Sequence, residues 1–193
     1  MILRVVGRTF IATGILILCF LGYQLFGTTL ITDQHQKTLA ADLKVTAAEP
    51  LPTKELPPEL GEGIALIEIP KIAVKKIVVE GVEVEDLKKG PGRYPGLSFP
   101  GEKGNVVISG HRTTYGGPFY RLDELTVGDD IKLTDRAGTT FTYRVTETKI
   151  VRPNDLTVVV QTTESKLTLT TCNPRFSARQ RLIVVADLQG AVP

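Results

Sequence analysis

The sequence predicts a β domain, an antiparallel barrel or sandwich, that follows an N-terminal apolar helix. From about Gly63 onward, about eight or nine short segments rich in Val, Ile and Thr alternate with turn signals, which is typical of antiparallel β folds. The same region has no 3.6-residue hydrophobic period long enough for a helical domain and no internal repeat. Residues 9–31, in contrast, contain no charged side chain, which predicts a separate membrane element.

The N-terminal segment has the length and charge pattern of a signal-anchor. A helix of about 20 residues crosses the hydrocarbon layer, whereas a cleaved signal peptide has an apolar run of about 7–15 residues. The segment 9–31 therefore favours an uncleaved transmembrane anchor over a signal peptide. Arg4 and Arg8 predict that residues 1–8 are cytoplasmic and that the remainder lies outside the membrane.

Residues 32–61 are polar and increasingly rich in proline, which predicts an extended, semi-rigid linker ahead of a folded domain at 62–193. Within this linker, His35 is expected to be a solvated residue. The formal net charge is only +2, and basic side chains are scattered among acidic ones. This charge pattern excludes a nucleic-acid partner.

The β segments are short and bounded by turn residues. Their predicted ranges are 64–70, 73–79, 105–109, 130–134, 139–146, 149–152, 157–160, 166–170 and 181–186. Residues 135–138 read as a hairpin turn, and residues 118–125 as a turn or two of helix. Phe141, Tyr143 and Val145 alternate, so one face of their strand is expected to be buried.

The two cysteines of the chain have different settings. Cys19 lies inside the apolar segment, so Cys172 has no exported partner with which to form a disulfide. An unpaired exported thiol is either a nucleophile or an inert buried group, and this observation alone leaves both open.

Two further residues could make Cys172 reactive. His111 follows the strand at 105–109 directly, and Arg181 opens the strand after the cysteine. An imidazole can accept the proton of a thiol and later donate it to a leaving amine. An arginine stays charged and can stabilise an oxyanion. The spacing of His111 and Arg181 also allows an alternative without catalysis, in which the histidine is a surface residue and the arginine a salt-bridge partner. One Cys and one His fall short of a zinc ligand set, so no metal and no cofactor is assigned.

Three segments of the chain resemble the sortases. The sequence TLTTC at 168–172 resembles the TLxTC signature of that family, and RLIV at 181–184 matches the arginine-led strand that follows it. The sequence NVVISGHR at 105–112 is similar to the family's histidine segment, which precedes the cysteine by 61 positions (172 − 111). The resemblance covers roughly residues 63–188.

The resemblance implies a closed antiparallel β-barrel of about eight strands that works as a cysteine transpeptidase. Cys172 would be the nucleophile, His111 the general acid and base, and Arg181 the oxyanion or substrate binder. Thr170 and Thr171, directly before the cysteine, would assist substrate binding. The implied partners are the sorting-signal peptide of secreted surface proteins and, as acceptor, an amine of a peptidoglycan precursor at the membrane.

The segments around His111 and Cys172 also indicate a subclass. The sequences GHRTTYG at 110–116 and CNPRFSARQR at 172–181 are similar to class E sortases, which prefer LAxTG over LPxTG. Tyr115 matches a position linked to that preference, although a packed aromatic residue would look the same. The alternatives are a class D-like or pilus-related sortase with LPxTG preference, and a non-catalytic, anchored β-barrel binding module.

Overall fold

The computed structural model describes residues 2–48 and 58–192, and the side chains of residues 44–48 are not described. Eight strands close into one barrel in the order β1-β2-β3-β4-β7-β8-β6-β5, which confirms the predicted barrel and strand number. The strands are β1 Gly63–Ile69, β2 Val74–Glu80, β3 Gly92–Arg93, β4 Asn105–Ser109, β5 Asp130–Asp135, β6 Thr140–Val151, β7 Lys166–Asn173 and β8 Gln180–Val192. The helices are α1 Ile2–Gly22, α2 Thr28–Ala48 and α3 Val84–Leu87, with a π-helical turn at Tyr23–Gly27 between α1 and α2.

The barrel is closed by both antiparallel and parallel pairs. Strands β2 and β3 pair in parallel, as do β4 and β7, while the other pairs are antiparallel. The barrel is therefore not antiparallel throughout. The parallel neighbours β4 and β7 are separated in the chain by the β5–β6 hairpin. Because the carboxyl ends of parallel strands lie at the same edge, the residues that follow β4 and those that end β7 meet at one rim.

The barrel interior is filled by alternate residues of the strands. Ile108 of β4 and Leu167 and Leu169 of β7 are almost wholly buried in this core. Tyr143 of β6 is also fully buried, and its hydroxyl accepts a hydrogen bond of 2.9 Å from the main-chain N–H of Gly101. The expected burial of one face of β6 therefore holds, and the buried phenol has a partner for its polar end.

Two predicted strands are absent as separate elements. Residues 149–152 belong largely to β6, which continues to Val151. Residues 157 and 158 belong to a 3₁₀ turn at Leu156–Val158, and residues 159 and 160 form a bend after it. The turn begins at Asp155, whose carboxylate accepts from the N–H of Thr157 at 3.1 Å. The side-chain amide of Asn105 donates to the carbonyls of Val158 and Val160 at 3.4 and 3.0 Å. Local capping and these tertiary bonds prevail over the β propensity of this segment.

Residues 32–48 are helical, which corrects the prediction of an extended linker over this part of the chain. Thr32, Gln36 and Leu39 are buried along one stripe of α2. The Gln36 amide donates to the carbonyl of Ile77 at 3.0 Å, and its oxygen accepts from the N–H of Ile77 at 2.7 Å. The stripe was not apparent in the sequence because two of its three members are polar. His35 is exposed, and the proline-rich residues 49–57 lie outside the described residues.

The helix that precedes the barrel is long and apolar enough to cross a membrane, by length and composition. None of the residues of α1 is buried against the protein. Thr28, in contrast, is 2 % exposed and contacts the barrel domain. Thr28 thus contacts the barrel although it lies within the predicted segment 9–31, and the limits of the membrane-spanning part stay a prediction.

Candidate active site

Cys172 and Arg181 lie directly opposite each other on the antiparallel strands β7 and β8. Residues opposed in this way project from the same face, with Cβ atoms about 4.5–5.5 Å apart. Cys172 is half-buried and free. It lies within β7 and not after it, because β7 stays paired as far as Asn173 and Gln180. The guanidinium of Arg181 donates to the carbonyls of Ala178 and Gln180, at 3.1 Å each.

The histidine segment is tied to the cysteine strand by main-chain bonds. Strands β4 and β7 pair in parallel up to Ser109 and Thr170. Beyond that pair, the N–H of Gly110 donates to the carbonyl of Thr170 at 3.1 Å. The hydroxyl of Thr171 donates to the carbonyl of Gly110 at 2.7 Å. These bonds bring His111 to the rim at which Cys172 and Arg181 stand.

Thr170 and Thr171 are both buried, 5 % and 2 % exposed. The hydroxyl of Thr171 is engaged with Gly110, so its contribution in this structure is to hold the histidine segment. The carbonyl of Thr170 has the same part through its bond from the Gly110 N–H. A direct contact of either residue with substrate remains a prediction.

The side chain of His111 is partly buried. Its Nε2 atom is inaccessible to solvent and has no hydrogen-bond partner within residues 2–48 and 58–192. The ring of Tyr115 lies over the histidine, with the ring centroids 4.9 Å apart and the planes at 35°. Burial lowers the pKa of His111 below its ordinary value of 6.5, because it penalises the charged imidazolium. Burial therefore favours the uncharged imidazole, which can accept a proton.

Tyr115 occupies a turn of unusual backbone conformation. Its φ angle is 51°, in the left-handed region, and Gly116 and Gly117 follow with φ of 72° and 45°. A Cβ atom on Gly117 would lie 2.7 Å from the carbonyl oxygen of Arg112, so only glycine fits there. The N–H of Tyr115 donates to the hydroxyl of Thr28 at 3.2 Å, which connects this loop to helix α2.

Arg112 is a residue of this site that the sequence prediction did not include. Its side chain is only 4 % exposed and lies between the histidine loop and the cysteine strand. Its Nη1 donates to the carbonyl of Cys172 at 3.2 Å and to Oδ1 of Asn173 at 2.8 Å, and its Nη2 pairs with Asp123 at 3.0 Å. Its position next to His111 was the one sequence signal available, since a buried arginine cannot be told from an exposed one in a single sequence.

Asp123 links Arg112 to the loop between β7 and β8. Arg175 of that loop donates to both carboxylate oxygens of Asp123, at 3.0 and 3.2 Å, and its guanidinium lies 4.4 Å from the ring centroid of Tyr120. Burial alone would raise the pKa of Asp123, but the charges of Arg112 and Arg175 outweigh it and lower the pKa below its ordinary value. The ion pairs of Asp123 with Arg112 and Arg175 thus hold the chain in place on both sides of Cys172.

A cavity of about 260 Å³ lies beside the connection between β6 and β7. Its lining includes Asn105, Val158, Lys166 and Thr168. Thr168 is four residues before Cys172 and points to the same side of β7, because side chains along a strand alternate. Among the described residues, no group of three or more His, Cys, Asp or Glu side chains could hold a metal ion.

Comparisons with known proteins agree with this architecture. A family model described as Sortase domain matches residues 67–189. Sortase D of Bacillus subtilis is 34 % identical over 181 residues, 89 % of this chain and 89 % of the relative. The structure of a Clostridium perfringens Sortase D5 transpeptidase has a TM-score of 0.66 and 32 % identity, covering 85 % of this chain and 99 % of that protein. The structure of sortase E from Streptomyces avermitilis has a TM-score of 0.64 and 38 % identity, covering 70 % of this chain and 93 % of that protein.

Proposed function

This chain belongs to the sortase family of cysteine transpeptidases, and we propose that it is a class E-like housekeeping sortase. In this proposal it cleaves an LAxTG- or LPxTG-type sorting signal after Thr and transfers the protein to a cell-wall amine. The observation that carries the proposal is the opposed pair Cys172 and Arg181, with the His111 segment bonded to the same strand.

The proposed first step is acylation of Cys172. Its Sγ attacks the carbonyl carbon of the signal's Thr while the neutral imidazole of His111 takes the thiol proton. The Thr–Gly amide bond then breaks, and His111 gives this proton to the departing amine of Gly. The product is a thioester between Cys172 and the sorted protein.

The second step is resolution of the thioester by an amine, proposed to be that of a peptidoglycan precursor. The amine nitrogen attacks the thioester carbonyl and loses a proton to His111, and Cys172 leaves with a proton returned from the imidazole. Both steps pass through a tetrahedral intermediate whose oxyanion needs a donor. Arg181 is proposed for this task because its side chain projects beside Cys172 and keeps its charge.

We also propose a single-pass orientation with the N-terminus in the cytoplasm and the barrel outside. The apolar helix α1 fits a membrane anchor, and Arg4 and Arg8 lie at its N-terminal end. In this orientation the sorting signal, the acceptor and the barrel share one side of the membrane.

The choice of signal separates two candidate functions. Similarity to Sortase E of S. avermitilis and the residue Tyr115 favour LAxTG, while the similarity to Sortase D of B. subtilis favours a class D-like enzyme with LPxTG preference. Competing LAxTG and LPxTG peptides, compared by kcat/KM, distinguish the two. A higher kcat/KM for LPxTG would overturn the class E-like assignment and leave the family assignment intact.

Peptide cleavage with and without a candidate amine tests the proposed reaction as a whole. Mass spectrometry should find the peptide cut between Thr and Gly, with the amine joined to Thr when it is present. A full chain that leaves both peptides intact, and whose Cys172 reacts slowly with a thiol probe, would instead be the non-catalytic binding module.

A further inference from the structure

We propose that Thr28, in the helix that follows the membrane segment, is a positioning residue for the Tyr115 loop that covers His111. The Thr28 hydroxyl lies 3.2 Å from the main-chain nitrogen of Tyr115, and the Tyr115 ring lies 4.9 Å from that of His111. The expected change in peptide-cleavage kinetics rests on the proposed function. The hydrogen bond between Thr28 and the Tyr115 loop does not depend on that function.

The hydrogen bonds of Thr28 fix the direction of its hydroxyl. The hydroxyl donates to the carbonyl of Gln24, one helical turn earlier, at 2.8 Å. Its oxygen is then left with lone pairs that accept the N–H of Tyr115. Thr28 is 2 % exposed, so its hydroxyl is largely withdrawn from bulk solvent. A hydroxyl at this position therefore acts as a directed acceptor for the loop.

The loop depends on such an external contact because its own backbone does not favour the observed conformation. Tyr115 has a φ of 51°, a region that non-glycine residues seldom occupy. The glycines at 116 and 117 give the segment little intrinsic rigidity, and both also have positive φ. The hydrogen bond that the Tyr115 N–H donates to the Thr28 hydroxyl compensates by holding this residue in place.

His111 itself is held by the barrel and not by Thr28. Its segment is fixed by the bonds from Gly110 to Thr170 and from Thr171 to Gly110, and its own carbonyl accepts from the N–H of Phe119 at 3.2 Å. Removing the Thr28 hydroxyl should therefore release Tyr115 and leave the histidine in place. In kinetic terms, the loss should appear chiefly in KM, since the nucleophile, base and oxyanion donor keep their supports.

The fold sets the position of Thr28 through the π-helical turn Tyr23–Gly27, which directly precedes it. A π turn inserts a residue into the helix and so rotates the stripe formed by Thr28, Thr32 and Gln36 relative to α1. This stripe continues along the barrel, where the Thr32 hydroxyl donates to the carbonyl of Lys88 at 2.8 Å. Between the helix and the loop lies a cavity of about 360 Å³ lined by Thr28, His35, Lys88 and Tyr115, which gives the ring of Tyr115 room to move.

The test uses the full chain in detergent micelles and compares four variants. Thr28→Val removes the hydroxyl at nearly constant volume, Thr28→Ser restores it, and Thr38→Val is the matched control. Thr38 is an exposed residue of the same helix whose hydroxyl donates to the carbonyl of Gln34, at 3.4 Å. Thr28→Ala is a second hydroxyl-free variant, and thermal unfolding verifies that each variant is folded.

Hydrogen–deuterium exchange of residues 112–118 and peptide-cleavage kinetics are the two readouts. With Thr28→Val, exchange in this segment should rise and KM should increase about 3- to 10-fold with kcat nearly unchanged, as for loss of one hydrogen bond. Thr28→Ser and Thr38→Val should both resemble wild type. Unchanged exchange and KM in both Thr28→Val and Thr28→Ala, or equal changes in Thr38→Val, would overturn the proposal. A wild-type chain that cleaves no sorting peptide would defeat the proposed function, while the exchange result would still decide the role of Thr28.

Discussion

The guanidinium of Arg112 donates a hydrogen bond of 3.2 Å to the main-chain carbonyl of Cys172. The residue beside the candidate base is thereby bonded to the backbone of the candidate nucleophile. The same side chain reaches Asn173 and Asp123, at 2.8 and 3.0 Å. Arg112 thus fixes the ends of β4 and β7 relative to each other, and the proposed reaction requires that they keep this relative position.

Arg112→Lys is expected to lower kcat about 10- to 100-fold, because lysine keeps the charge but cannot reproduce bonds made by a planar fork. Peptide-cleavage kinetics measure the effect. Arg121→Lys is the control, since Arg121 is exposed and pairs with Glu124, three residues later in the chain. Similar kcat values for the two variants would contradict a positioning role for Arg112.

Arg181→Ala is expected to lower kcat about 10²- to 10³-fold, the range seen when one oxyanion donor is lost. The physical reason is that Arg181 faces Cys172 across the β7–β8 pair. Arg179→Ala serves as the comparison, because Arg179 is exposed on the loop just before β8. A loss of equal size in both variants would argue against a specific role of Arg181.

His111 is expected to titrate below pH 6.5, because burial lowers its pKa. The chain has two histidines, so NMR titration of the wild type and of His35→Gln assigns the signal. Tyr115→Ala should raise the pKa of His111 towards 6.5, since it removes the ring that covers the imidazole.

The same lowered pKa affects stability. The imidazole of His111 binds its proton at a higher pH in the unfolded chain than in the folded one, so His111 should reduce stability as pH falls through 6.5. A pKa of His111 above 6.5 in the wild type would contradict this description.

Arg93→Met is expected to lower the free energy of unfolding by about 3–5 kcal/mol, because it leaves the Glu80 carboxylate buried without its partner. Arg93 and Glu80 form two hydrogen bonds, at 2.8 and 2.6 Å, and their side chains are 2 % and 6 % exposed. Chemical unfolding monitored by fluorescence measures the change. Arg144→Met removes an exposed pair with Asp130 and should change stability by less than about 1 kcal/mol.

Much of the barrel could be predicted from the sequence because its strands carry local signals. The strand Asn105–Ser109 was predicted to the residue, and the positions of Cys172 and Arg181 near strand ends followed from the same β-branched runs. The two-residue strand Gly92–Arg93 is too short to produce any periodic signal, and it forms only through pairing with β2 and β4. Residues 157–160 were predicted wrongly because bonds from Asn105, distant in the sequence, decide their conformation.

The supporting residues of the candidate site were beyond prediction for a different reason. A buried charge such as Arg112 is acceptable only where tertiary partners such as Asp123 and Asn173 are present, and a single sequence does not reveal those partners. Thr28 was included in the apolar segment, although its hydroxyl bonds to a loop 87 positions later in the chain. The contacts of Arg112 and Thr28 are apparent only in the folded structure, in which the strand ends and helix α2 lie close together.

The most direct measurement of the central claim is the mass of the enzyme after brief incubation with an LAxTG peptide and rapid acid quench. We expect the mass of the enzyme to increase by that of the acyl fragment. The adduct should map to the proteolytic peptide that contains Cys172, be removed by hydroxylamine, and be absent from Cys172→Ala. The same increase is expected in Cys19→Ala, because Cys19 lies in the exposed face of the apolar helix. Cleavage of the peptide by Cys172→Ala at the wild-type rate, or an adduct on any other residue, would contradict the account.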